Sequence, residues 1–420
     1  MAYADSRLTQ LDVWEARLIL RYKRYLPLTL FVLLIVIVGF VVPRHSESRV
    51  NHPAKHIDYP KVLGRLWTDY KQTSIDTSSG RTIDHQNDDK TTSEGQAYTM
   101  LRAVWMNDPT VFDQTWQWTQ NNLRRNDGLY SWQWGKRADG SWGILTNDGG
   151  ENTASDADTD IALALMMAAN RWDNPSYLAA AKGIVQGIWT NEVVMIQGKP
   201  YLTADNLEHQ VRSGLIVVNP SYFAPYAYRA FARIDPSHDW IGLVNNSYAA
   251  LEASSSNTLD TKTSIDLPPD WVGVKITDGT FASVSGKDTD FSFDAFRAIW
   301  RTALDYEWSH DPQSLATLKR FGFLQQAWSR DGKLVAQYGH DGTRKVSYSA
   351  LSLYGGTLSY FQFIQPKTAP QIMQQALLAN YDPGTDKFAG TLNYYDNNWL
   401  WFGLALYAQA LPNLTEGNPS

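Results

Sequence analysis

Three segments place carboxyl groups where they could act on a bound molecule. In the first, Thr92-Ser93-Glu94-Gly95-Gln96-Ala97-Tyr98 opens an apolar helical run. Thr92 or Ser93 can cap that helix, which puts Glu94 in its first turn. Taken alone, Glu94 is explained there as an acid stabilised by the helix dipole. In the second, Ala154-Ser155-Asp156-Ala157-Asp158-Thr159-Asp160 leads directly into IALALMMAA. Acids at alternate positions before a helix can hold calcium, cap the helix or line a cleft at its end. The third is Phe293-Asp294-Ala295-Phe296-Arg297, where Asp294 and Arg297 stand at i, i+3 on one helical face. Alone, that pair reads as surface decoration. Paired carboxyls, one protonated and one ionised, are a common means of acid–base chemistry. Whether these segments meet depends on the elements that carry them.

Those elements read as helices. Apolar periodicity of the helical kind recurs at residues 62–71, 94–106, 159–172, 177–189, 221–234 and 240–254. It continues at 294–308, 314–328, 349–364, 369–381 and 397–411. Between these runs lie turn-forming stretches such as RNDGLY, RADGSW, TNDGGENTASD, PPDWVG and SRDGKL. Alternating strand patterning is scarce, with QGKPYLTA and KLVAQY as short exceptions. A succession of helices without strand–helix alternation predicts an all-α fold of stacked helical hairpins. No strict repeat of fixed period is visible, which favours a closed toroid over an elongated solenoid.

Composition narrows the function. The net charge of −6 argues against a nucleic-acid partner. The absence of Cys excludes disulfides, thiolate metal sites and thiol catalysis. The 17 Trp and 22 Tyr exceed what a core needs, and indole and phenol rings suit stacking on the C–H face of a sugar. A large helical core rich in aromatics is the other reading.

Leu26 to Val42, LPLTLFVLLIVIVGFVV, carries no charge and is just long enough to span a bilayer as a helix. Arg17, Arg21, Lys23 and Arg24 crowd its upstream side, which predicts an N-terminus inside and the remainder outside. A long mixed segment precedes the apolar run, and VVPRHSES after it lacks a small-x-small cleavage pattern, so an uncleaved anchor is expected rather than a signal peptide. The expected organisation is a cytoplasmic segment (1–25), a transmembrane anchor (26–42), a linker (43–56) and one catalytic domain (57–420). The expected location is the cell membrane, single-pass, with that domain extracytoplasmic.

Together these segments resemble glycoside hydrolase family 8, the inverting endoglucanase, xylanase and chitosanase family. The likeness rests on ASDADTDIALALMMAANRW (154–172), SEGQAYTM (93–100), WMNDPTVFDQTWQWTQNNL (105–123) and LYSWQWG (129–135). It continues, in the family's order, through NPSYFAP (219–225), LPPDWVG (267–273) and FDAFRAIWRTALDYEW (293–308). The resemblance implies an (α/α)6 barrel with a long cleft across one end and an endo-acting β-1,4-glucanase. Hydrolysis of chitosan, xylan or an amino-sugar exopolysaccharide is the alternative, and a non-catalytic glycan-binding protein is a further one. Glu94 matches the family's general acid, Asp294 its general base and Asp156 the acid that holds the sugar ring at the cleavage point. Arg297 would orient the base or its water. Trp132, Trp134, Trp271, Tyr222 and Asp158 are expected among the substrate contacts. Inversion requires the two working carboxyls roughly 6.5–9.5 Å apart, with water between them. No metal or organic cofactor is called for. The implied partners are the polysaccharide, the membrane and, given the anchor, machinery for exopolysaccharide synthesis.

Overall fold

Helices with two kinds of burial alternate along the chain. The computed structural model describes residues 57–207, 214–260, 262–385 and 387–416. Helix α1 (Tyr59–Ser74) buries a single stripe, Val62, Leu63, Leu66, Trp67 and Tyr70, as a surface helix does. Helix α2 (Ser93–Trp105) is buried at every residue from Gly95 onward. The same contrast separates α3 (Pro109–Asn122) from α4 (Ser155–Arg171), which is buried from Ser155 to Ala169. Outer helices α5 (Pro175–Glu192) and α7 (Trp240–Ser256) flank the inner α6 (Pro225–Ile234). Inner α8 (Phe296–Ser309) is followed by the outer α9 (Pro312–Arg320) and α10 (Phe323–Asp331). Inner α11 (Leu351–Ile364), the short α12 (Ala369–Ile372) and inner α13 (Tyr394–Tyr407) complete the series.

The inner helices pack in the order α2, α4, α6, α8, α11, α13, and each lies against an outer neighbour. Side chains close the ring between its ends. Arg102 of α2 donates to Asn397 Oδ1 (3.1 Å) and Asn398 Oδ1 (2.9 Å) of α13, and Tyr98 meets the Trp399 and Phe402 rings edge-on. Helices α11 and α13 cross with their backbones almost touching. A Cβ on Gly355 would lie 2.0 Å from the Trp399 carbonyl oxygen, and one on Gly403 2.4 Å from that of Gly355. This alternating double ring is the expected (α/α)6 arrangement. The proposed span at 26–42 lies outside the described residues, and among those that are described no helix is long and apolar enough to cross a membrane.

The structure differs from the sequence reading in detail. Helix α3 falls between the predicted runs; the Asp108 side chain caps it at Val111 N–H and Pro109 starts it. The run at 221–234 becomes helical only at Pro225, after a 3₁₀ turn at Pro220–Tyr222. The run at 314–328 breaks between α9 and α10 at Phe321 and Gly322. The scarcity of strands is also relative. QGKPYLTA supplies the hairpin Val193–Ile196 with Lys199–Leu202, whereas KLVAQY forms only isolated bridges at Tyr338. Two three-stranded sheets arise that the pattern does not announce. One joins Thr91–Thr92, Gln133–Lys136 and Trp142–Ile144; the other joins Leu215–Val218, Val272–Lys275 and Phe281–Ala282. Strands of two to four residues are too short for alternation to be legible.

Candidate active site

Thr92 closes the first sheet and opens α2. Its hydroxyl accepts from Gly95 N–H at 3.0 Å, the N-cap that fixes where the helix begins and therefore where Glu94 projects. The same sheet pairs Thr91 with Trp134 and Thr92 with Gln133, while Ser93 N–H donates to the Trp132 carbonyl at 3.0 Å. Trp132 and Trp134 are thus tied to the residues just before Glu94. Trp134 stacks on the exposed Trp142, with Arg81 lying over both indoles.

Arg297, in the first turn of α8, gathers the acids. Its Nη1 donates to Glu94 Oε2 (2.5 Å), Asp156 Oδ2 (3.2 Å) and the Tyr98 hydroxyl (3.3 Å). Its Nη2 binds Asp294 Oδ1, and its Nε donates to the Asp294 carbonyl at 3.3 Å. Three segments separated widely in sequence therefore meet on one guanidinium. Side-chain exposure divides the three acids: Glu94 retains 23% and Asp294 29%, whereas Asp156 and Arg297 retain 2% each. The two open carboxyls sit on different nitrogens of a planar fork, which holds them apart instead of letting them close on each other.

Burial raises the Glu94 carboxyl above its ordinary range and the charge of Asp294 adds to the effect, while Arg297 and the Tyr394 hydroxyl pull the other way. Asp156 is pushed up to about 7, by burial first and then by Glu94 and Asp160 against Arg297 and Arg301. One guanidinium shared by the acids does not offset the burial that raises Glu94 and Asp156.

The aromatic candidates divide. The Tyr222 ring lies against the Arg297 guanidinium (5.2 Å to the centroid) and meets Trp271 edge-on at 5.9 Å. Trp271 in turn carries Lys287 Nζ at 4.0 Å from its ring centre. Tyr222 and Trp271 therefore continue from the acid cluster on one side, and Trp132 and Trp134 adjoin it at Glu94. Asp158 does not belong with them. It is fully buried, with Oδ1 accepting from Tyr130 N–H at 3.1 Å, so its expected place among the substrate contacts is corrected. The reason is helical geometry: acids at alternate positions point to different sides of α4. Asp156 reaches Arg297, whereas Asp160 is locked to Arg301 by a two-pronged bridge of 2.8 and 2.7 Å.

Other residues at the site were not singled out from the sequence. Tyr394, at the start of α13, donates to Glu94 Oε1 at 3.2 Å, and the Tyr395 hydroxyl binds the Phe293 carbonyl beside Asp294. Asp270 holds the turn that carries Asp294. Its carboxyl accepts from Ser292 N–H (3.1 Å), Ala295 N–H (2.7 Å) and the Ser292 hydroxyl. Burial and the nearby Asp294 push Asp270 up to about 8. Asp270 lies inside LPPDWVG, so a signal was present there; Tyr394 lies just before the predicted run at 397–411, where nothing marked it.

Residues 57–388 match Glycosyl hydrolases family 8, and the chain belongs to that family. It is 33% identical over 261 residues to an endoglucanase of Xanthomonas axonopodis pv. citri, covering 60% of this chain and 64% of that protein. Alignments with this and two further curated relatives span 50–64% of their own length. Among solved structures, a Klebsiella pneumoniae endoglucanase shares 26% identity at a TM-score of 0.65, covering 83% of this chain and 99% of that one. An endo-1,4-D-glucanase from Vibrio fischeri matches at a TM-score of 0.69 and 24% identity, covering 82% and 94%.

Proposed function

We propose that the protein hydrolyses β-1,4-linked glucan internally, with inversion at the anomeric carbon. The observation that carries this reading is the Arg297 fork, which holds Glu94, Asp156 and Asp294 together. In this mechanism Glu94, its proton retained by burial, protonates the leaving oxygen. Asp294, on the opposite nitrogen, accepts a proton from the attacking water, and Arg297 orients that carboxylate. Asp156, sealed behind them, acts on the sugar only through Arg297, whose guanidinium it binds and the Tyr222 ring covers. Trp132 and Trp271 border the chain path, and Trp134 backs the exposed Trp142 by stacking on it. The names of the endoglucanase relatives support the substrate class.

Glu94→Gln and Asp294→Asn should each lower turnover by about three orders of magnitude or more while leaving the unfolding midpoint near that of the wild type. Near-normal turnover in either variant defeats the assignment. Reducing-sugar release from carboxymethylcellulose, chitosan and xylan in parallel tests the substrate, and a preference for either of the last two replaces glucan with that polymer.

The apolar run at 26–42 and the basic residues before it support a second part of the proposal. The enzyme is anchored in the cell membrane and works outside it on a polysaccharide made at the surface, beside the synthesis machinery. Fractionation of cells expressing the full chain or a chain begun at residue 43 tests this. Equal recovery of both in the soluble fraction refutes the anchor.

A further inference from the structure

Two fully buried acids lie behind the cluster with no cation beside them among the described residues. Asp158 stands in the first turn of α4 and Glu192 at the last residue of α5, both with no exposed surface. Each has one satisfied oxygen: Asp158 Oδ1 takes Tyr130 N–H at 3.1 Å, and Glu192 Oε1 takes the Thr153 hydroxyl at 2.5 Å. Among the described residues, the remaining oxygens, Asp158 Oδ2 and Glu192 Oε2, receive no donor from any other group, and the two carboxyls face each other. Two ionised carboxylates sealed in this way would repel with nothing to offset them. A proton between them supplies the missing hydrogen bond and removes one charge.

We propose that Asp158 and Glu192 share a single proton, and that this acid pair is a positioning element that fixes Asp156 and Trp132 relative to Glu94. The inference rests on the roles proposed for Glu94 and Asp156, and the covalent connections explain how it would act. Asp158 is two residues from Asp156 on α4, a helix whose N-cap, Ala154, has no side-chain cap. Through Tyr130 N–H it holds the segment that continues to Trp132, whose carbonyl receives Ser93 N–H beside Glu94. Glu192 holds Thr153, just before α4. Thr153 N–H donates to Asn206 Oδ1 and Asn206 N–H returns to the Thr153 hydroxyl, both at 2.9 Å. Ser155 adds a bond from its hydroxyl to the Thr203 carbonyl at 2.6 Å. The pair is thus the point where the start of α4, the Trp132 segment and the strand after α5 are joined.

The titratable groups around the pair are Asp127, Asp156, Asp205, Tyr130 and Tyr228; the acids among them also disfavour a second negative charge. Burial and these acids push Glu192 up to about 8 and raise Asp158 as well. Carboxyls raised in the folded state contribute stability at low pH that is lost as pH rises through their folded values.

The test uses the full-length chain and compares wild type with Asp158→Asn and Asp158→Ala. The asparagine keeps an acceptor for Tyr130 N–H and supplies Glu192 with a permanent donor, so no proton is needed. Its melting temperature should fall much less than that of the wild type between about pH 5 and about pH 8. Its kcat near pH 6 should stay within about threefold of wild type, with the alkaline limb extended by about one pH unit. Asp158→Ala should lose kcat by about tenfold or more with KM little changed, a loss that asparagine rescues. An unchanged pH slope of melting in Asp158→Asn refutes the shared proton. Full kcat in Asp158→Ala, or no rescue by asparagine, refutes the positioning role. The melting data do not involve catalysis, so failure of the Glu94 and Asp156 assignments would leave the shared proton standing and show separately, as activity in Glu94→Gln.

Discussion

Replacing Arg297 with glutamine removes the cation on which Glu94, Asp156 and Asp294 converge. Glu94 and Asp294 are partly open to water and recover some solvation; Asp156, 2% exposed, does not. The loss of charged hydrogen bonds to a sealed carboxyl costs about 2–3 kcal/mol at any pH. A further cost depends on pH. In the wild type Asp156 is raised from 3.8 to about 7, so the stability it contributes declines as pH rises from about 4 and levels off near 7. Arg297 is what holds that value down, so without it the decline continues past 7 at about 1.4 kcal/mol per pH unit. The gap between the two proteins should therefore stay constant between about pH 5 and about pH 7, then widen by about 2–3 kcal/mol by about pH 9. Urea unfolding at intervals across that range measures it directly. A gap that stays constant to pH 9 would mean that Asp156 is not held by Arg297 in the folded state, and the proposed arrangement of charges would be wrong.

Other outcomes follow from the same geometry. Asp270→Ala strips two backbone N–H groups of their acceptor beside Asp294; kcat should fall by about tenfold or more while KM changes little, measured on soluble cellulose derivatives. Tyr394→Phe removes a donor that favours ionised Glu94, so the alkaline limb of kcat/KM should move upward, and a downward move would contradict the assignment. Gly355→Ala forces a methyl group onto the Trp399 carbonyl and should destabilise the fold by about 2–4 kcal/mol in urea unfolding, whereas Gly322→Ala, with nothing within 4 Å, should cost far less.

The inner helices were legible because burial around most of their surface leaves long apolar runs, as in IALALMMAA of α4 and NNWLWFGLALYAQAL of α13. Helix α3 was not, since Asp113, Gln114, Gln117 and Gln120 interrupt the run that its cap and proline would otherwise have announced. Glu94, Asp156, Asp294 and Arg297 were each ambiguous alone and gained meaning only from their shared order along the chain. The structure adds that one guanidinium collects all three acids. Spacing misled at Asp158, because alternation along a helix says nothing about depth. Glu192 was silent for a similar reason: a buried acid announces itself through what surrounds it in space, and its partner Thr153 lies 39 residues away.

The hydrogen bond from Tyr394 to Glu94 spans 300 residues and falls where the last inner helix closes on the first. During synthesis, a chain emerging N-terminus first presents Glu94 long before the wall that completes its surroundings exists. Ring closure waits for α13, so the growing chain cannot assemble a working site part-way through translation. Competence arrives in one step once α13 has emerged, and a chain cut short before Tyr394 would carry every acid of the cluster without the enclosure around Glu94.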